Sequence, residues 1–292
     1  MKFAYYPGCS PQSTTRELDV VARKLAKALE IELVDLNGPV CCGSVEMRVN
    51  DSDLFYAINA RTLAMAESQG LDLLTICNTC QLALGQANQA LKKDRELLNK
   101  INQALSAVQM KYSGGVEVKH LLWILLKDVG PETIKRKIKI PLTGLKVAPF
   151  YGCHLLRPKE VLGFDDPDDP KSLEDFIRIS GGEPVDFPGK VKCCGFHNLP
   201  YDPLLAVTLT GKYLQEASEA GANCMITPCP LCFTMLDGYQ IEANKKLSSQ
   251  VNLPVFHLPQ LLGLAMGMGK DELMLKRNMV PADGILRKIG RV

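Results

Sequence analysis

The sequence predicts an α/β protein of two homologous units, each a small, mostly parallel sheet flanked by helices, related by a pseudo-twofold axis. Strand and helix signals alternate along the chain, which is typical of a parallel sheet covered by helices. The cysteines occur twice in the same order, and the sequences around them match. A repeat of about half the chain favours two homologous domains, which we place at residues 1–140 and 145–292, with a linker near 136–144.

The first unit begins with a β-prone run at residues 2–6, followed by a helical pattern at 14–29. The strand-like segment "IELVDL" leads to a helix at 51–69. Next, "LDLLTI" is a continuous apolar run, as expected for a strand inside a parallel sheet. A long helix is predicted at 78–108, and "VEVKH" ends the unit as a strand-like piece.

The second unit repeats this order. Its predicted elements are the strand "KVAPFY", a helix at 172–180, the strand "PVDF", a helix at 203–220, the strand "CMIT", a helix at 231–246 and the strand "VFH".

The cysteine spacing supports the repeat most strongly. With Cys224 set aside, ten of the eleven cysteines form two sets of five, each with one Cys, a Cys-Cys-Gly triplet and a C-x-x-C pair. The first gap is 31 residues in one set and 39 in the other, and the second gap is 34 in both. The first set is Cys9, Cys41, Cys42, Cys77 and Cys80; the second is Cys153, Cys193, Cys194, Cys229 and Cys232.

All five thiols of a set follow predicted strands, at the edge where open α/β sheets bind ligands. The C-x-x-C pairs also begin helices, whose free N–H groups favour thiolate or sulfide. A structural zinc site or a cubane cluster takes four ligands, and a redox pair needs two. Five thiols suit a larger iron–sulfur assembly with a bridging thiolate. We expect Gly43 and Gly195 to remove side chains that would crowd it.

These residues resemble the CCG cysteine-rich domain family, whose pattern is a Cys, a Cys-Cys-Gly triplet and a C-x-x-C pair at such gaps. Two units in one chain are similar to the B subunit of heterodisulfide reductases, over residues 3–264. The resemblance implies a noncubane [4Fe–4S] cluster in each unit, held by the five cysteines of its set. It further implies that a disulfide of coenzyme M and coenzyme B is cleaved between the clusters, where the domains meet.

The same resemblance implies partners. Electrons would arrive from the reductase's C subunit, which carries cubane iron–sulfur clusters, and ultimately from its flavin-containing A subunit. Relatives also include subunits of sulfur-oxidation complexes, of succinate or fumarate reductases, and of lactate and glycolate oxidation.

Two functions stay open. One is a catalytic subunit that reduces a small-molecule or protein-bound disulfide, which takes two electrons and leaves two thiolates. The other is an electron-relay subunit. A cleft of substrate width reaching a cluster favours the first, and two sealed clusters favour the second. A zinc-only protein is a third possibility.

His154 and His197 closely follow ligand cysteines and are candidates to supply protons to a departing thiolate. The alternative is that they are loop histidines bonded to the backbone. Because the first unit has Ser10 and Val45 at these places, we expect the histidines to serve the second site only, and that site to be the more reactive.

Other residues suggest structural roles. We interpret His120 and His257, which repeat each other outside the motifs, as structural, and Cys224 as an inert core cysteine. The Met-rich segment 263–280 is predicted to pack on a neighbour or a partner subunit, with an ordinary terminal helix as the alternative.

Composition excludes several classes of function. The net charge is +2 and no basic block is present, so nucleic acid is not an expected partner. No secretory signal is visible, and no run approaches the ~20 apolar residues of a membrane-spanning helix. We therefore expect a cytoplasmic protein without direct membrane insertion. Eleven cysteines in a reducing compartment favour metal or redox chemistry.

Overall fold

A computed structural model describes residues 1–291 and shows two four-stranded sheets, both entirely parallel. Their orders are β2-β1-β3-β4 and β6-β5-β7-β8, so the predicted α/β class and repeat are confirmed. The strands are β1 (Lys2–Tyr6), β2 (Glu32–Asp35), β3 (Leu73–Thr75), β4 (Val118–His120), β5 (Lys146–Pro149), β6 (Glu183–Pro184), β7 (Cys224–Thr227) and β8 (Val255–His257).

The repeat extends to strand register. Ala4 pairs with Leu73 in the first sheet, and Ala148 pairs with Met225 at the equivalent place in the second. The outer strands agree as well, because β4 lies against β3 as β8 lies against β7. Since parallel strands end at one edge, this shared register brings the cysteine loops of each unit together.

Helices cover both sheets and join them. They are α1 (Cys9–Gln12), α2 (Arg16–Ala28), α3 (Ser44–Asn50), α4 (Ser52–Ser68), α5 (Asn78–Lys93), α6 (Arg95–Ser106), α7 (Leu121–Trp123), α8 (Pro131–Lys137), α9 (Lys159–Leu162), α10 (Ser172–Ile179), α11 (Pro203–Glu219), α12 (Pro230–Phe233), α13 (Gln240–Leu247), α14 (Leu258–Ala265) and α15 (Asp283–Lys288). Segments Ile124–Val129 and Thr234–Gly238 are π-helical.

Three predicted elements differ from the structure. The helix predicted at 78–108 breaks at Asp94, whose carboxylate accepts the Leu97 N–H and caps a new helix. The helix predicted at 231–246 is interrupted by its π-helical segment. The strand predicted at "PVDF" is shorter, since β6 covers Glu183–Pro184.

The Met-rich segment 263–280 folds back on its own chain. Its helix α14 ends at Ala265 and packs against α2 of the first unit. Arg277 then reaches Glu17 on α2 at 3.0 Å, and Leu273 and Leu275 are buried. The first unit is thus the neighbour on which this segment packs, and packing on a partner subunit stays a prediction.

The two units share their apolar interior. One core cluster joins Leu25 and Leu122 of the first unit to Ile226 and Leu262 of the second. This interface fixes the sheets relative to each other. The division at residues 140 and 145 stays a prediction. No helix in residues 1–291 combines the length and apolar character needed to cross a membrane.

Candidate metal centre at the junction of the two units

The first cysteine set gathers beyond the ends of β1, β2 and β3. Cys9 opens α1, the Cys41–Cys42 pair follows β2, and Cys77 and Cys80 begin α5. The Sγ atoms of Cys9 and Cys41 lie 3.6 Å apart, and those of Cys42 and Cys80 lie 3.7 Å apart. Two thiolates on one tetrahedral metal with bonds of about 2.3 Å would lie about 3.8 Å apart. A disulfide needs about 2.05 Å, so the spacing fits metal ligands.

The second set repeats these pairs. Cys153 contacts Cys193, and Cys194 contacts Cys232, as their equivalents do in the first unit. In each set hydrogen bonds between thiols lower the pKa of the first cysteine of the CC pair to about 2. The main donor is Cys42 for Cys41, and Cys153 for Cys193. The pKa is thus lowered at the same position of both sets, which favours the thiolate form that binds metal.

The two sets meet at their C-x-x-C loops. The Sγ atoms of Cys77 and Cys229 are 4.0 Å apart, and both side chains are buried. This contact joins the first unit directly to the second.

A glycine before the first cysteine makes room in each unit. A Cβ on Gly8 would lie 2.9 Å from the Cys80 Sγ, and a Cβ on Gly152 would lie 2.9 Å from the Cys232 Sγ. The sequence expectation named different glycines. Added Cβ atoms on Gly43 and Gly195 would instead collide with Met47 and with the backbone of Ala206. Those glycines therefore serve the turn into the next helix, with φ values of +75° and +99°.

The donor sets suit a body larger than one ion. All eleven cysteines are free thiols. Among residues 1–291 no three histidine, cysteine or carboxylate side chains converge as ligands of a single metal ion. The thiols instead form separate pairs within each set. They lie beside Gly8 and Gly152, where a side chain would collide with a ligand sulfur. This arrangement argues against a lone zinc ion and fits a multi-iron cluster.

Access differs sharply between the sets. A cavity of about 470 Å³ opens over the first set, where Cys9 and Cys41 are exposed. Over the second set the cavity is about 10 Å³, and Cys153 and Cys193 are half-buried. The first volume is within the usual size of ligand pockets, and the second is far below it.

The two candidate histidines lie across the junction and contact the first unit. The Nδ1 of His154 lies 3.0 Å from the Thr79 hydroxyl, and the Nδ1 of His197 lies 2.8 Å from the Glu46 carboxylate. Their rings are 4.8 Å apart. His197 lines the cavities of both sets. The expectation that both histidines serve the second site only is wrong for His197, because the pseudo-twofold packing turns its loop toward the first unit.

Sequence reasoning missed Glu46 and Thr79. Glu46 lies outside the motifs, Thr79 is not one of the cysteines of its motif, and the partners of both residues come from the other half of the chain. Thr79 is one of the two variable positions inside its C-x-x-C pair, which was the one available signal.

The remaining polar residues are structural. Burial lowers the pKa of His120 to about 3 and that of His257 to about 4, so both are neutral. The Nε2 of His257 lies 3.3 Å from the carbonyl of Ile76, the residue before Cys77, and thereby ties the second unit to the first. Cys224 is fully buried within β7, and burial raises its pKa to about 12.

The fold and its duplicated thiol sets define a cysteine-rich, two-unit α/β protein. The cysteine-rich domain (CCG) family matches residues 3–85 and 147–237, and the chain belongs to that family. Membership implies that the cysteine sets bind iron–sulfur clusters.

Full-length relatives carry two kinds of name. The chain is 40% identical to the 8-methylmenaquinol:fumarate reductase membrane anchor subunit of Wolinella succinogenes, covering 96% of this chain and 98% of that one. It is 32% identical to the B subunit of the ferredoxin:CoB-CoM heterodisulfide reductase of Methanosarcina mazei, covering 99% and 97%. A protein of Archaeoglobus profundus, named as similar to the B subunit of heterodisulfide reductase, is also 32% identical, covering 99% and 98%.

A solved structure supports the fold alone. A hypothetical protein from Helicobacter pylori superposes with a TM-score of 0.77 at 17% identity, over 96% of this chain. The chain spans about half of that structure, 52% of its length.

Proposed function

We propose that this chain is the iron–sulfur subunit of a heterodisulfide-reductase-type oxidoreductase, in which a disulfide is reductively cleaved. Each unit holds one noncubane [4Fe–4S] cluster. The proposed ligands are Cys9, Cys41, Cys42, Cys77 and Cys80 in the first unit, and Cys153, Cys193, Cys194, Cys229 and Cys232 in the second.

The cavity over the first cysteine set carries the proposal. All five proposed ligands line it, so a cluster there would take part of its volume, and the lining also includes Phe196, His197 and Leu199, which a substrate beside the cluster would meet. The Cys77–Cys229 contact links this set to the second one. A substrate at the first set would thus lie beside one redox centre. The Cys77–Cys229 contact would connect that centre to the other one.

Disulfide cleavage consumes two electrons and two protons and releases two thiols. Clusters held by the two cysteine sets would supply the electrons. His197 stands in the cavity wall with Glu46 as its partner, positioned to hold and pass a proton. His154, bonded to Thr79, is placed to do the same at the second set.

The electrons come from other subunits. We propose a partner that carries cubane clusters and, behind it, a flavin subunit, as in heterodisulfide reductases. The relatives at 32 to 40% identity whose names mention a reductase are named as subunits, which supports a multi-subunit assembly.

The test is dye-driven reduction of bis(2-hydroxyethyl) disulfide by the anaerobically purified chain. We expect turnover in the native chain and in Cys224→Ser, and none in Cys42→Ser or Cys194→Ser. His197→Ala should keep its iron and lose about 10²-fold in rate, the usual contribution of a general acid. Full activity in Cys194→Ser with its second cluster absent would refute the two-cluster scheme.

A relay function is the second candidate. The relative at 40% identity is named as a membrane anchor subunit of a fumarate reductase, and the second set is closed to small molecules. A relay subunit would hold both clusters and exchange electrons with a partner, yet would reduce no disulfide when purified alone.

A further inference from the structure

The cavity over the first cysteine set contains no basic side chain. Within residues 1–291, none of the side chains lining it is a lysine or an arginine. Its ionisable members besides the thiols and Tyr239 are Glu46 and His197, which bond each other at 2.8 Å. Any positive charge on His197 is thus already matched.

The remaining lining divides into an apolar wall and a hydroxyl wall. Phe196, Leu199 and Leu231 of the second unit form the apolar wall. Hydroxyl groups come from both units: those of Ser10, Ser13 and Thr14 in the first unit already have partners, and Thr234 of the second unit donates to the Pro230 carbonyl at 2.9 Å. Ser13 donates to the Cys9 carbonyl at 2.9 Å, and Ser10 lies 3.2 Å from the Thr14 hydroxyl.

This lining disfavours an anion. Sulfonates, phosphates and carboxylates in proteins are bound by arginine forks or lysine ammonium groups. In this cavity such a group would lose its hydration without gaining a cationic partner, and it would lie beside the Glu46 carboxylate.

We propose that the cavity binds an uncharged, mostly apolar substrate, with its reactive end at Cys9 and Cys41 and its apolar part against Phe196 and Leu199. The inference deepens the proposed function and rests on it for the substrate's reaction. With an uncharged disulfide, two electrons from the partner subunit and two protons from solvent give two neutral thiols.

The test uses two unreactive diaryl thioethers, one with uncharged hydroxyl groups and one with anionic sulfonate groups at the same ring positions. Bis(4-hydroxyphenyl) sulfide and bis(4-sulfonatophenyl) sulfide are titrated calorimetrically into the anaerobic, iron-loaded protein. We expect the uncharged compound to bind at least ~10-fold more tightly, the size of one missing charge-assisted hydrogen bond. Equal or tighter binding of the sulfonate, or no binding of either compound, would overturn the inference.

Variants inside and outside the cavity show whether the preference for the uncharged compound arises there. Leu199→Lys places an ammonium in the cavity wall and should narrow or reverse the preference, and Thr234→Lys does so from another segment if the first variant folds poorly. Leu204→Lys is the control, since Leu204 is 54% exposed and lies outside the lining. A preference unchanged in both cavity variants would mean that the compounds bind elsewhere, against the inference.

The outcomes separate this inference from the proposed function. If the preference holds while the protein reduces no disulfide, the reductase proposal falls and the binding inference stands. If the protein reduces disulfides but prefers those that carry a sulfonate, the reductase proposal stands and the binding inference falls.

Discussion

The two units share one arrangement of strands and cysteines but differ in the size of the cavity over the cysteines. Strand register, cysteine order and thiol pairing repeat from one to the other. Yet the cavity over the first set is about 470 Å³ and that over the second about 10 Å³. The residue after the first cysteine differs, since Ser10 lines the wide cavity and His154 the narrow one. The comparison teaches that the duplicated sheets and loops determine where the ligand cysteines lie. Single residues beside those cysteines determine whether a small molecule can reach them.

The largest expected effect is loss of one cluster. Cys42→Ser and Cys194→Ser each remove a buried ligand, so each should lower anaerobic iron and sulfide content from about eight per chain to about four. Cys224→Ser is the matched control, because Cys224 is also buried and belongs to neither cysteine set. Stoichiometric zinc without sulfide in the native protein would refute the cluster assignment.

Exchanging Ser10 and His154, the residues that follow the first cysteine of each set, should exchange which cysteine set a small molecule can reach. Ser10→His should fill part of the wide cavity and slow reduction of an uncharged disulfide by ~10-fold or more, with iron unchanged. His154→Ser should open the second site. Steady-state rates together with iron content check both variants. If Ser10→His leaves the rate intact, the cavity over the first set is not the route to the cluster.

The glycines before the first cysteines offer a sharper test of both sets. Gly8→Ala and Gly152→Ala place a Cβ 2.9 Å from a ligand sulfur. Gly38→Ala and Gly130→Ala have nothing within 4 Å, at similar φ values. All four should lose about 1 kcal/mol from positive φ. Iron should fall in Gly8→Ala and Gly152→Ala, whose added Cβ meets a ligand. Equal iron in all four would mean that the close approach is not needed for binding.

The smallest effect concerns Asp237, which only the second unit has; the equivalent position in the first unit is Gly85. Burial raises the pKa of Asp237 to about 6, above its unfolded value of about 3.9. The folded state then binds the extra proton, so stability should fall as pH rises from about 4 through about 6.

Urea midpoints between pH 5 and 7 measure this dependence. Asp237→Asn should flatten the slope, and the exposed control Asp271→Asn should not. An identical slope in Asp237→Asn would assign the pH dependence to other groups.

The spacing of the cysteines in the sequence predicted much of the site, because each cysteine is positioned by the strand next to it in the chain. Each cysteine follows a strand that ends at one edge, so the two sets and their convergence followed from order and period. The helix break at Asp94 was missed because 78–108 stays helical in pattern, and a capping carboxylate decides the break. Glu46 and Thr79 were missed because their partners, His197 and His154, approach only after the units pack.

The most direct test is an anaerobic crystal structure of the iron-loaded protein with the uncharged thioether bound. We predict a cluster at each cysteine set and the thioether over Cys9 and Cys41, in contact with Phe196 and Leu199. A thioether at the second set, or iron at one set alone, would contradict the account.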